Sequence, residues 1–174
     1  MAADEISPIT VLTPVRRWWG WWLLLHWPFA QRSELLKRPL LALSFIHAAH
    51  WGLLRRGAAV PYIVFQSNYD GPAPEYAETF AIAVPWRVRG MWSGGYGFPG
   101  PHPTNRFTEY VLGHAVDGPY HYYSAYPGGT VRTVRAALGL RRSFERFRQD
   151  TAGLDAEEFA RAWSDFLTAE QHRL

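Results

Sequence analysis

The chain has 174 residues, which is enough for one domain with a full hydrophobic core and short for two. It contains no cysteine, which excludes disulfides, thiolate metal sites and a cysteine nucleophile. The formal net charge is +3 and Lys37 is the only lysine, so the basic character rests on arginine, a pattern typical both of phosphate binding and of GC-rich coding.

The N-terminal region has two different parts. Residues 1–15 are small, acidic and interrupted by proline, and their lack of an apolar period predicts an extended arm. The next part holds four of the nine tryptophans within five positions and, drawn as a helix, is apolar all round, which is typical of a buried or lipid-immersed segment. About 13 residues at about 1.5 Å each extend about 20 Å, which is too short to cross about 30 Å of hydrocarbon.

This tryptophan-rich segment has two interpretations that the sequence leaves open. It is an interfacial anchor, with indole rings at headgroup depth and arginines on the phosphates, or a hydrophobic arm that packs on the domain or on a partner subunit. A secretory signal is not expected, because tryptophan suits its apolar region poorly and no small-residue cleavage site follows. The residues assigned to the anchor are Arg16, Arg17, Arg32, Trp18, Trp21 and Trp22.

The segment from Leu40 to Trp51 fits either a strand or a helix. As a strand it places Phe45, His47 and Trp51 on one face and His50 on the other, whereas a helix would bring the two histidines together. We favour the strand, because the next apolar run, Tyr62 to Gln66, is β-prone and needs a neighbour. The chain is thus expected to consist of an arm at 1–39 and a single α+β domain at 40–174 that ends in two helices.

The remaining elements alternate between helices and short strands. A helix is expected between Pro74 and Pro85, with Tyr76 and Phe80 on its apolar face. The segment from Met91 to Pro103 is expected to be a short strand that runs into an irregular loop rich in glycine and proline. A second helix from Thr104 or Asn105 presents Phe107, Tyr110 and His114 on one face, and residues 120–126 alternate as a strand does.

Two helices are expected at the C-terminus. The first runs from Thr130 to about Gln149, and its arginines gather on one face; a solvated surface, anionic lipid and, least favoured, nucleic acid are the alternatives for that face. The second begins at Asp155, which has the sequence of an N-cap, and its apolar stripe is expected to dock on the core. The arginines are Arg132, Arg135, Arg142 and Arg146.

This order of elements predicts an α+β fold with an antiparallel sheet and helices on one face. The segments LSFIHAAHW, VFQSNYDG and HYYSAYPGGT, within roughly residues 40–150, resemble the ferredoxin-like dimeric α+β-barrel proteins, a superfamily that includes chlorite dismutases and dye-decolourising peroxidases. The resemblance is closest to a small uncharacterised bacterial group of this type. It implies paired sheets and a cavity between sheet and helices. The dye-peroxidase signature around the distal aspartate is absent, so haem ligation is transferred to no residue.

Candidate site residues follow from these placements. His47, His114 and Tyr122 are predicted to be catalytic, because an imidazole near tyrosines can act as a base or ligate haem iron. A metal site is not expected, since a strand sends His47 and His50 to opposite faces and no third ligand is evident. The residues predicted to line a ligand pocket are Phe45, Trp51, Asn68, Asp70, Trp92 and Tyr120. The alternatives are that the histidines are hydrogen-bonded core residues and that Asn68 and Asp70 satisfy backbone groups in a turn.

Two functional hypotheses follow. In the first, a dimer at the cytoplasmic face of the inner membrane binds a hydrophobic, lipid-like or aromatic molecule in an aromatic-lined pocket and, if it is an enzyme, oxidises it, with haem as the leading cofactor. In the second, the protein is a non-catalytic lipid-binding or assembly subunit that uses the tryptophan segment and the arginine face. Nucleic acid is not an expected partner, because no fold signature for it is present.

Overall fold

The computed structural model describes residues 6–32, 43–55, 59–116, 122–126 and 128–173. Contacts divide the chain into two compact units, residues 1–128 and 129–174. The described residues form a three-stranded antiparallel sheet and six α-helices, which confirms the α+β class. The first unit contains β1 (Ile6–Pro14), α1 (Arg17–Arg32), β2 (Ile46–Leu54), β3 (Tyr62–Asp70), α2 (Ala73–Ala83), α3 (Pro85–Trp92) and α4 (Thr104–Gly113). The second contains α5 (Val131–Asp150), α6 (Ala156–Glu170) and a 3₁₀ turn, Gln171–Arg173.

The sheet has the order β1-β3-β2, and β1 pairs with β3 from Ile6 opposite Asp70 to Pro14 opposite Tyr62. The interpretation of residues 1–15 as an extended arm therefore missed a full strand. Its two prolines fit an edge strand, where a missing N–H breaks no ladder bond, and Val11 is completely buried. On its other edge, β1 is bridged only by short segments, at Val11 opposite Ala115 and at Val15 opposite Gly95.

The strand interpretation of the second region is confirmed for Ile46–Leu54, but a bulge changes its faces. Ile46 pairs with Tyr69 and Ala48 with Asn68, so His47 is the extra residue. Trp51 lies opposite Phe65 and stacks on it in the core, with ring centroids 5.1 Å apart. The prediction that His47 shares a face with Trp51 was wrong, because the bulge shifts the alternation between them.

One face of the sheet, which we call the core face, packs against α2, α3 and α4. The apolar faces predicted for α2 and α4 are confirmed, since Tyr76, Phe80, Phe107 and Tyr110 are buried. The short strand predicted within residues 91–103 is absent, because Met91 and Trp92 end α3 and Gly95 forms only an isolated bridge with Val15. Pro85 suits the first turn of a helix, and the buried side chains Val88 and Trp92 have the spacing of a helix.

The strand predicted at 120–126 is absent from its described part. Residues 122–126 pair with no strand, and the side chains of Tyr123 and Tyr126 are largely exposed. An alternating pattern forms a strand only where a neighbour supplies backbone partners and one face is buried, and these residues have neither. Tyr120 lies outside the described residues.

The second unit is a helical hairpin. Helix α5 continues without a break through Gly139, and Asp155 caps α6 by accepting hydrogen bonds from the backbone N–H groups of Glu157 and Glu158, as predicted. The apolar stripe of α6 was expected to dock on the core. Within this unit it packs on α5, where Phe147 lies 4.8 Å from Phe166 between ring centroids.

Candidate functional site

Helix α1 is held against the first unit by one side only. Leu23 is buried with Val15 and Ile63, and a Cβ placed on Gly20 would touch Leu53 at 3.5 Å and Pro61 at 3.6 Å. The indole N–H of Trp19 donates to the carbonyl of Met91 at 3.1 Å. These contacts fix which side of the helix faces the protein.

The opposite side of α1 carries an apolar surface that we call the α1 stripe. At about 100° per residue its members fall within an arc of about 100°, centred nearly opposite Gly20 and Leu23. Leu25 is 77% exposed and Phe29 is 85% exposed. Trp22 is the least exposed member, because it stacks between Trp19 and His26. The stripe consists of Trp18, Trp21, Trp22, Leu25 and Phe29.

The stripe is bordered by cations. Arg16 and Arg17 are exposed at the first turn and Arg32 at the last, while the guanidinium of Arg55 lies 4.1 Å from the ring centroid of Trp21. None of these four arginines forms an ion pair with another described residue. Helix α1 itself contains no Asp or Glu. The exposed side of α1 is therefore an apolar surface with positive charge at its border.

The length of α1 limits how such a surface is used. In the described part of the chain, no helix is both long enough and apolar enough to cross a bilayer. A helix with one buried side and one exposed apolar side suits a position parallel to a surface. One side of α1 packs on the domain, as the interpretation as a hydrophobic arm expects, and the exposed side leaves the interfacial interpretation open.

A second candidate site lies on the other face of the sheet, which we call the outer face. Directly opposed residues of an antiparallel pair share a face, so Thr10, Gln66 and His50 form one row across the three strands. Pro8, Asn68 and Ala48 form the next row. Tyr122 lies beside these rows, and together they line a groove of about 420 Å³.

The groove exists because two small residues follow the bulge in β2. Ala48 is exposed on the outer face and Ala49 is also part of the lining, so no large side chain of β2 fills the space. Ser67 is buried and donates its hydroxyl to the carbonyl of Ala48 at 3.0 Å, which ties β3 to β2 below the groove. The amide of Gln66 reaches the hydroxyl of Thr10 only at 3.5 Å.

His47 is engaged beside this groove rather than in it. Its Nε2 lies 2.7 Å from Oδ1 of Asp70, and both side chains are mostly buried, at 20% and 13% exposure. The backbone N–H of Asp70 donates to the carbonyl of Phe45 at 2.9 Å. The pair therefore fastens the bulge of β2 to the end of β3.

His114 lies at the C-terminal end of α4. Its Nδ1 donates to the carbonyl of Tyr110 at 2.8 Å, and the two rings are 4.4 Å apart. Burial raises the pKa of Tyr110 to about 12, and burial likewise raises the pKa of Tyr76. Both phenols are therefore neutral at physiological pH, and His114 is not among the residues that line the groove with Tyr122.

The aromatic residues predicted to line a pocket pack into the core. Trp92 is 1% exposed and its indole donates to the hydroxyl of Thr13 at 3.2 Å. Phe45 contacts the edge of Tyr76, and Trp51 stacks on Phe65. These three aromatic side chains pack on core residues, so they do not fit the role of lining a haem pocket. No three His, Asp or Glu side chains of the described chain come together as metal ligands either.

Of the predicted catalytic and pocket residues, the structure brings Asn68 and Tyr122 together in the groove and His47 and Asp70 together beside it. The predicted anion-binding arginines Arg132, Arg135 and Arg142 are exposed on α5 in the second unit. Sequence reasoning missed Thr10, His50 and Gln66 as groove residues. The alternation of β3 indicates that Gln66 faces away from the core. The register that places it beside Thr10 and His50 is seen only in the pairing of the three strands.

Comparison with protein-family models, with curated proteins and with solved structures finds no match to this chain. The first unit carries two candidate functional surfaces, the α1 stripe and the outer-face groove.

Proposed function

We propose that this protein binds peripherally to a lipid surface through α1, which lies flat with the α1 stripe among the acyl chains and headgroups. The observation that carries the proposal is the exposure of Leu25 and Phe29, at 77% and 85%, on a helix whose other side is packed. Large apolar side chains displayed side by side on one helix face are typical of a binding surface.

Two free-energy terms support this function. Moving a Leu, Phe or Trp side chain from water into an apolar phase contributes up to about 1.5–3 kcal/mol when burial is complete. Each arginine near an anionic leaflet adds about 1 kcal/mol. Tryptophan also suits the interface itself, because its ring is apolar and its N–H remains able to bond.

The anionic cytoplasmic leaflet is the surface we propose, because Arg16, Arg17, Arg32 and Arg55 border the stripe with no acidic residue in the helix. The proposal favours the non-catalytic hypothesis, since Phe45, Trp51 and Trp92 are used in the core. It does not depend on the ferredoxin-like resemblance, for which a three-stranded sheet is small.

Vesicle co-sedimentation tests the proposal. The full chain is mixed with vesicles of phosphatidylcholine and phosphatidylglycerol, and the bound fraction is measured for wild type and for the double variant Leu25→Ser, Phe29→Ser. The matched control is Ile82→Ser, Trp86→Ser, which removes two exposed apolar side chains at 60% and 48% exposure from α2 and α3.

We expect the α1 double variant to lose at least about ten-fold in apparent affinity, since loss of roughly 1.4 kcal/mol is enough for that. The control should bind as wild type does. The proposal is wrong if wild type does not sediment with the vesicles, or if the two double variants lose binding equally.

A further inference from the structure

The outer-face groove displays hydrogen-bonding side chains that the fold does not use. His50 and Asn68 make no side-chain hydrogen bond with another described residue, and Gln66 makes only the long contact to Thr10. Ser67 and Thr13, which are buried, are by contrast engaged: Ser67 bonds the carbonyl of Ala48 and Thr13 accepts from Trp92. The groove therefore displays polar side chains that no bond within the described fold occupies.

We propose that this groove binds an uncharged, polyhydroxylated molecule of the sugar class, independently of the lipid surface at α1. Its volume of about 420 Å³ lies within the range of about 300–1,000 Å³ found for small-molecule sites. The ligand contacts Thr10, His50, Gln66, Asn68 and Tyr122.

The charge of the lining selects against anionic and cationic ligands. No Asp, Glu, Lys or Arg is among the residues that line the groove. A phosphate or carboxylate would lose water there without gaining a countercharge, which is unfavourable. An uncharged ligand meets no such cost.

The kinds and spacing of the groups match a polyol. Carboxamides, a hydroxyl and an imidazole each donate and accept, as sugar hydroxyls do. Neighbouring strands are about 4.8 Å apart, so Thr10 and His50 at the ends of one row are separated by about 10 Å. The hydroxyls of a sugar ring point outward around its rim, so they can bond groups on opposite sides of such a row. A planar base presents one edge and needs aromatic faces for stacking, and only Tyr122 is available.

The test uses saturation-transfer NMR of the full chain with the methyl glycosides of glucose, galactose and mannose. At least one of them should bind with a Kd of about 1 mM or tighter. Gln66→Ala should weaken that binding by roughly three- to ten-fold, which is the loss expected for one hydrogen bond.

Two matched pairs of variants separate binding in the groove from general effects. Tyr122→Ala should reduce transfer, whereas Tyr123→Ala, at a neighbouring ring that is 86% exposed, should not. Ala48→Leu should fill the groove and abolish binding, whereas Ala83→Leu, at an exposed position in α2, should leave it intact.

The proposal is overturned if none of the three glycosides shows transfer at concentrations well above 1 mM, or if Ala48→Leu binds as wild type does. The double variant Leu25→Ser, Phe29→Ser should bind the glycoside normally. Failure of the groove and failure of the lipid surface are therefore seen in different measurements.

Discussion

Helices α1 and α6 are both rich in aromatic residues, yet their rings have different partners. Along α6, Phe159, Trp163 and Phe166 pack on α5, with Phe147 at centroid distances of 5.7, 5.5 and 4.8 Å. The α1 stripe has no such apolar partner among the described residues of its own unit, and Leu25 and Phe29 project away from it.

The two helices also differ in the charges that surround their aromatic residues. Helix α6 holds four acidic residues and one arginine, Arg161, which is paired with Glu157 at 3.0 Å, so its surface is acidic. Helix α1 carries only cations around its stripe. Aromatic content therefore does not distinguish a packing helix from a binding helix; the partners of the rings and the sign of the surrounding charge do.

The largest effect that tests this comparison is expected at Phe147. Phe147→Ala should lower the free energy of unfolding of the second unit by about 3 kcal/mol, because three aromatic contacts are lost and a cavity remains. Phe29→Ala should change stability by less than about 0.5 kcal/mol, as exposed substitutions do. Chemical denaturation followed by circular dichroism measures both. A comparable loss for Phe29→Ala would mean that the stripe has an internal partner, and the comparison would fail.

The attachment of α1 is tested at Gly94. A Cβ at this position would overlap the indole of Trp19, whereas a Cβ at Gly90 in α3 meets open space. Gly94→Ala should therefore destabilise the first unit by about 2 kcal/mol through overpacking, and Gly90→Ala should stabilise it by up to about 1 kcal/mol. Thermal and denaturant unfolding of the pair measure the difference. Equal stabilities of the two variants would contradict the packing of Trp19 against Gly94, and with it the orientation of the stripe.

The sequence predicts most helices because they carry strong local signals. The Asp155 cap, the apolar faces of α2 and α4, and the break at Pro85 are all readable within a few residues. Strand β1 is not, because Pro8 and Pro14 interrupt its pattern and its stability comes from pairing with β3, 48 to 64 positions away.

The candidate sites were predictable to different degrees for the same reason. Trp18, Trp21 and Trp22 are adjacent in sequence, so the segment is recognisable, although which side of the helix is buried depends on Gly20 and Leu23. The groove joins residues of three strands. His50 lies on the face opposite Trp51, as the alternation of β2 predicts. The pairing that places Thr10 and Gln66 in its row, and the bulge that removes His47 from the face of Trp51, have no signature in a single sequence.

A smaller effect is expected from the cations at the border of α1. Arg17→Gln should weaken binding to vesicles that contain phosphatidylglycerol by about five-fold, or about 1 kcal/mol. Raising the salt should weaken wild-type binding too, because the Debye length falls from about 10 Å at 0.1 M to about 3 Å at 1 M. Arg142→Gln, on the exposed face of α5, is the matched control and should bind as wild type does. An equal loss at Arg142 would move the lipid surface to α5.

The smallest effect separates a cation held by a ring from one held by a carboxylate. A double-mutant cycle of Arg55→Gln with Trp21→Leu should give a coupling of about 0.5–1 kcal/mol for the 4.1 Å cation–π contact. The cycle of Arg161→Gln with Glu157→Gln should give about 0.3–0.5 kcal/mol for an exposed i, i+4 pair.

The two coupling energies are similar, but Arg161 is neutralised by its partner whereas Arg55 keeps its full charge beside the stripe. Arg55→Gln should therefore also weaken binding to anionic vesicles, and Arg161→Gln should not. If Arg55→Gln leaves vesicle binding unchanged, the ring contact is only structural and Arg55 is not part of the lipid surface.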